Sequence, residues 1–191
     1  STATVNGRDY VGGLVGQNGG TVIYCYSAGA VTGIEDYVGG LVGTNFYGDN
    51  FKAGSGTVTL SLWDTQTSGQ VRSRGGTGKT TAEMQTASTF LGWGGVPSVW
   101  TIDEDVDYPR LAWERKPGIP LPALADFIAG SGTQEDPYLI CTCDDLNTIG
   151  VFFLECDKHF TLMADIDLSG ITYSQAVIPD FAGMFDGNGH T

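Results

Sequence analysis

Apolar positions in the first sixty residues come in short runs, VGGLVG and TVIYCY among them, and each run is cut by Gly, Asn or Asp. Runs of Val, Thr, Tyr and Phe punctuated this way predict strands and turns. Further along the pattern changes. Thr80 and Glu83 form a capping-box pair, which predicts a short helix through Met84. Leu146, Ile149 and Phe153 share one helical face, and Asp144 and Asp145 precede them where the positive end of a helix favours acids. That spacing predicts a short helix over residues 144–153. Strands are expected at Tyr138–Cys141 and Phe160–Leu168, with His159 at the start of the latter and a corner at DGNGHT, residues 186–191.

The early pattern is periodic. DYVGGLVG occurs at Asp9–Gly16 and again at Asp36–Gly43, 27 residues apart. STATVNG (Ser1–Gly7) is echoed by SAGAVTG (Ser27–Gly33) at an offset of 26. A chain that turns at a fixed period can wind into a coil whose turns stack about 4.8 Å apart and share backbone hydrogen bonds. Val11 is then expected beside Val38, and Leu14 beside Leu41. Glycine is expected to supply positive φ at the corners. One such turn cannot bury its apolar side alone, whereas a stack can. Residues 1–62 are therefore expected to belong to a right-handed β-solenoid, the hand following the bias of parallel crossovers. A meandering β-sandwich is the competing reading.

Composition narrows the function. Nine basic and 22 acidic residues leave a net charge of −13. That balance argues against nucleic acid, whose phosphates need clustered Lys and Arg, and against anionic membrane surfaces. No apolar run is long enough for membrane insertion. Four cysteines, Cys25, Cys141, Cys143 and Cys156, read as buried thiols or one disulfide, since Cys-x-Cys does not make the usual zinc arm.

Candidate chemistry is sparse. SRGGTGKTTAEMQ, residues 73–85, imitates a phosphate-binding loop, but Ser73 stands where the first glycine belongs and no buried strand precedes it. Only His159 and His190 are present, so a two-histidine zinc-protease helix is excluded. Asp144–Asp145 and Asp165-x-Asp167 are the carboxylate pairs to weigh for glycoside chemistry, and alternation would place Asp165 and Asp167 on one strand face. The sharpest cofactor candidate is calcium. Asp103, Asp105, Asp107 and Glu114 occupy positions 1, 3, 5 and 12 of a calcium-loop pattern, although Tyr108 replaces the turn glycine. The alternative is a solvated acidic turn with Tyr108, Leu111 and Trp113 facing the core.

Pro117, Pro120 and Pro122 mark an extended connector. The expected domains are 1–115, two repeats closed by a tail bearing Trp63, Trp93, Trp100 and Trp113; a linker at 116–126; and 127–191, the incomplete start of a following solenoid. Such a chain is either cut from a longer repetitive protein or completed by the next copy of itself.

YVGGLVGQNGGTVIYCYSAGAV resembles the glycine–leucine-rich repeat called the GLUG motif. LWDTQTSG, GGTGKTTAEMQ, FLGWG and YPRLAWE follow in the order associated with bacterial surface proteins that contain it. GSGTQEDPYLI, HFTLMADIDLSG and FAGMFDGNGHT resemble the opening of another such solenoid. The resemblance implies an all-β, parallel β-helix fold with a short capping helix, in an extracellular, secreted or surface-attached protein. The expected function is a non-catalytic structural module of a surface, adhesive or filamentous assembly, whose partners are further copies or adjacent repeats. Glycan binding through Tyr10, Tyr24, Tyr26, Tyr37, Phe46 and Tyr47 is the alternative, and a carbohydrate-active enzyme the third reading.

Overall fold

The computed structural model describes residues 1–34, 36–46, 56–94, 99–152, 155–173, 176–178 and 181–191. Strands dominate over helices, as the glycine-cut apolar runs predict. The chain forms two compact units, Ser1–Gln85 and Thr86–Thr191. The span 116–126 thus falls within the second unit.

The first unit is built from eleven short strands: β1 (Val5–Asn6), β2 (Val11–Gly12), β3 (Val15–Gln17), β4 (Thr21–Ile23), β5 (Tyr26–Ser27), β6 (Val31–Thr32), β7 (Val38–Gly39), β8 (Val42–Thr44), β9 (Thr57–Thr59), β10 (Leu62–Asp64) and β11 (Thr77–Lys79). Their pairing follows the repeat. β1 lies parallel to β6, β2 to β7, β3 to β8 and β4 to β9. The register puts Val5 on Val31, Val11 on Val38 and Val15 on Val42. The two DYVGGLVG copies are therefore direct neighbours. Leu14 also donates its amide to the Leu41 carbonyl at 3.0 Å. From β4 the offset grows to 36, with Thr21 on Thr57, because nine extra residues are absorbed between Asn45 and Thr57. β10 then pairs with both β5 and β11.

An asparagine pair fixes the register where the offset changes. Asn18 Nδ2 donates to Asn45 Oδ1 at 2.8 Å and to the Thr57 carbonyl at 3.1 Å. Asn45 Nδ2 in turn donates to the Gly56 carbonyl. A buried amide aligned with its copy satisfies itself only in this alignment, so a slipped register would leave polar groups unpaired.

The corners depart from expectation. Left-handed backbone is adopted by Tyr10 (φ 52°), Tyr37 (φ 65°), Tyr24 (φ 51°) and Leu60 (φ 43°), and Gly12, Gly39 and Gly40 lie outside that region. The positions match by register, Tyr10 with Tyr37 and Tyr24 with Leu60. Each non-glycine residue there costs roughly 1–2 kcal/mol. The Tyr10 and Tyr37 rings offset part of it by stacking at 5.0 Å with 7° between planes. Glycine is needed instead for close approach. A Cβ on Gly12 would stand 2.7 Å from the Leu41 carbonyl oxygen, and one on Gly40 would enter the Trp63 indole.

Above the second copy, residues 68–74 take up its free backbone groups. Val31 and Gly40 donate to the carbonyls of Ser68 and Arg72, and Arg74 donates to Val42. The Ser73 hydroxyl accepts from the amides of Leu41 and Val42. Buried Asp64 anchors this layer, accepting from the Gln66 and Thr67 amides and the Thr81 hydroxyl. The predicted helix α1 (Thr81–Met84) follows, with Thr80 and Glu83 forming the expected capping box.

The second unit holds an antiparallel trio and a parallel trio. β12 (Trp100–Ile102) lies between β13 (Arg110–Leu111) and β14 (Ile119–Pro120). The prolines of 116–126 sit on that edge strand and beside it, where a missing N–H costs little. Leu121 and Leu124 of the same span are buried. β15 (Tyr138–Ile140), β16 (His159–Leu162) and β17 (Met184–Asp186) form the parallel trio. Register places Tyr138, Phe160 and Phe185 in one column, with ring centroids 5.5 and 6.2 Å apart. α2 (Cys143–Val151), capped by Thr142 and Asp145, packs Ile149 into this core beside Leu124, Ile140 and Phe152. Of the four tryptophans assigned to a closing tail, Trp63 alone belongs to the first unit. Trp93 packs edge-on against Phe90 and Trp100 in the second, and Trp113 is 72% exposed rather than turned to the core.

Candidate functional site

The feature that stands out in the first unit is an open edge. β1, β2, β3 and β4 each pair with one neighbour only among the described residues. In β1, Val5 donates to the Ala30 carbonyl at 2.8 Å and Gly7 to Thr32 at 3.0 Å. Strand alternation then turns the Asn6 N–H away from β6, to the side with no strand.

Burial differs between the copies position by position: Val11 of the first copy is buried while its partner Val38 is only half-buried, and at the LVG segment the order reverses. Leu14 is 39% exposed, whereas Leu41, its counterpart, is 0% exposed. Val15 is half-buried, but Val42 is fully enclosed. At Leu41 and Val42 the second copy is covered by Trp63 and residues 68–74 as well as by the first copy, whereas among the described residues no strand pairs with the other side of β2 and β3. In the second unit β17 is likewise an outer strand, and its Met184 side chain is largely exposed.

The expected calcium residues serve a different arrangement. The Asp103 carbonyl accepts from the amides of Val106 and Asp107, closing a tight turn with left-handed Asp105 (φ 61°) at its centre. The Asp107 carboxylate is paired with nearly buried Arg110, which also donates to the Pro117 carbonyl at 2.6 Å. Glu114 Oε1 accepts from the Leu111 amide and caps the following 3-10 turn. A guanidinium already neutralises the carboxylate that a cation would need. Among the described residues, no group of three or more His, Cys, Asp or Glu side chains is placed to hold a metal ion. Arg110 is the functional residue that the acidic pattern hides, a lone basic residue three positions after Asp107.

The other carboxylates also serve turns. Asp145 accepts from the Cys141 and Thr142 amides at the head of α2. β16 stops at Leu162, so Asp165 and Asp167 do not share a strand face as expected. Asp165 accepts from the Thr191 amide and faces His190, and these bonds hold its carboxyl below the ordinary aspartate value. Asp167 accepts from the Ser169 amide, with the same effect. Lys79, in the phosphate-loop look-alike, pairs with Glu83 at 3.2 Å. All four cysteines are free thiols. Burial pushes the Cys25 thiol up, partly countered by a backbone hydrogen bond at Ile23. Of the tyrosines considered for sugar contact, Tyr47 lies outside the described residues. Tyr10 is the most open, and Tyr24, Tyr26 and Tyr37 are half-buried.

Residues 7–32, from the approach to β2 through β6, match the family model of the GLUG motif. The chain carries a GLUG motif. No curated protein and no solved structure matches it. The motif covers one repeat, and its β2 and β3 are the strands that pair with their copies at Asp36–Gly43. Among the described residues, no helix is long and apolar enough to cross a membrane.

Proposed function

We propose that the protein is a non-catalytic structural module, a β-solenoid whose GLUG repeats stack along an axis and extend head to tail in an extracellular surface, adhesive or filamentous assembly. The observation that carries this reading is the burial difference between Leu14 and Leu41. The first repeat presents the same apolar residues as the second, and among the described residues no strand pairs with the outer side of β1–β4. Adding a neighbour recovers apolar burial and gives the outward backbone groups of β1–β4 their ladder partners. Such a contact is heterologous, and a heterologous contact that does not close extends into a filament.

Asn6→Pro tests the reading. It removes a donor on the free side of β1 while the bonds from Val5 and Gly7 to β6 stay intact. Sedimentation velocity and electron microscopy are expected to show concentration-dependent elongated assemblies for the native chain and monomers for the variant. Thr21→Lys, at the exposed first residue of β4, serves as a second edge block. A native chain that stays monomeric at every concentration, or variants that assemble as it does, would overturn the proposal.

A further inference from the structure

A cleft of about 510 Å³ opens on the first unit beside Tyr37. Its wall includes Trp63, Arg72, Ser73 and Arg74. Three features distinguish it. First, it is basic on an acidic chain: two of the nine basic residues stand there one residue apart, while the net charge is −13. Both arginines are exposed, and neither guanidinium has an ion-pair or hydrogen-bond partner among the described residues. Ser73, between them, turns its hydroxyl to the Leu41 and Val42 amides. Second, the Trp63 indole N–H is taken by the Gln70 carbonyl at 3.3 Å, so the small part of this buried ring that reaches the cleft is apolar. Third, the tyrosine stack stops here. Tyr10 covers one face of Tyr37 and takes no part in the cleft, and the segment above, Ser68–Arg74, contains no aromatic residue.

Exposed arginines whose guanidiniums meet no partner among the described residues suit planar carboxylates, which they bind through paired N–H donors. An aromatic face beside them accepts a flat, weakly polar ring. We propose that this cleft binds an acidic oligosaccharide, with a uronic-acid ring lying on Tyr37 and its carboxylate held by Arg72 and Arg74. Of the chain's 22 acidic residues, 16 lie in the second unit, so the first unit is close to neutral and the two arginines set the sign of the cleft. The inference is independent of edge stacking, because the cleft lies against residues 68–74 and not against β1–β4.

Isothermal titration of the full chain with an oligogalacturonate hexamer tests it, with a neutral galactose oligomer, adenosine monophosphate and inorganic phosphate as the other arms. The oligogalacturonate is expected to bind and the neutral oligomer not. Arg72→Gln with Arg74→Gln is expected to weaken binding at least about tenfold while leaving the melting midpoint unchanged. The single variants serve if the double one does not fold. Absence of oligogalacturonate binding, equal binding of the neutral oligomer, displacement by adenosine monophosphate or phosphate at similar concentration, or undiminished binding by the variants would each overturn it.

Discussion

Leu14 and Leu41 occupy the same place in the two copies of LVG, yet one is 39% exposed and the other not at all. Side-chain chemistry is identical, so the difference reports the cover that Trp63 and residues 68–74 give the second copy. Leu41→Ala is expected to cost about 2–5 kcal/mol, the usual range for a fully enclosed leucine, and Leu14→Ala about 1 kcal/mol in the monomer. Urea denaturation of both variants below the assembly concentration measures this, and equal losses would show that the first repeat is already enclosed. Glu155 gives a second prediction. It is buried, and Tyr138 faces it at 3.5 Å. Burial raises its carboxyl above the ordinary glutamate value, Asp157 adds to this, and Lys158 partly offsets it. The folded chain therefore holds a proton that the unfolded chain releases. Stability must fall as pH rises from the ordinary glutamate range through the raised value, and then level. Glu155→Gln removes the penalty, so it is expected to melt higher than the native chain at pH 7 and to lose that advantage below about pH 4. Tyr138, pushed up to about 12 by burial and by Glu155, adds a second loss as pH climbs towards that value.

At the scale of elements, the capping box of α1 was the most legible feature, while at α2 the sequence showed acids at the helix start and the structure adds the Thr142 cap. Thr80 with Glu83 and Thr142 with Asp145 both cap their helices. The signal is local, a hydroxyl and a carboxylate at fixed spacing, and needs nothing from the rest of the fold. Thr142→Ala is expected to destabilise the second unit by about 0.5–2 kcal/mol, read as lost helical circular dichroism and a lower melting midpoint. The pairing of Val11 with Val38 was legible for a related reason, since identical segments pair best in register. Less was visible where tertiary contact decides. β16 was expected to run to Leu168 but ends at Leu162, where Asn188, arriving from the corner after β17, takes the Leu162 carbonyl. Trp113 reads as core from its ring alone, whereas it stands exposed in a 3-10 turn capped by Glu114. The proline run reads as a linker, yet Leu121 and Leu124 bind it into a core. The open edge of β1–β4 followed from the repeat, but the Arg72–Arg74 cleft did not. It depends on residues 68–74 lying over the second repeat, with no period in the sequence to announce it.

At the scale of the molecule, charge separates the two proposed interactions. Each chain carries −13, so copies approaching end to end repel one another. Edge pairing supplies backbone hydrogen bonds and apolar burial, neither of which salt screens, while the opposing repulsion is screened. The Debye length shortens from about 30 Å at 0.01 M salt to about 10 Å at 0.1 M. Assembly is therefore expected to strengthen over that interval, with longer species at a fixed protein concentration by sedimentation. Binding of a uronate at Arg72 and Arg74 should weaken over the same interval, because there the screened term is the attraction. The two salt slopes must have opposite signs in one protein, and Asn6→Pro should abolish the first while leaving the second. If assembly weakened with salt, ion pairs rather than strand edges would hold the copies together, and the stacking of GLUG repeats could not be what joins them.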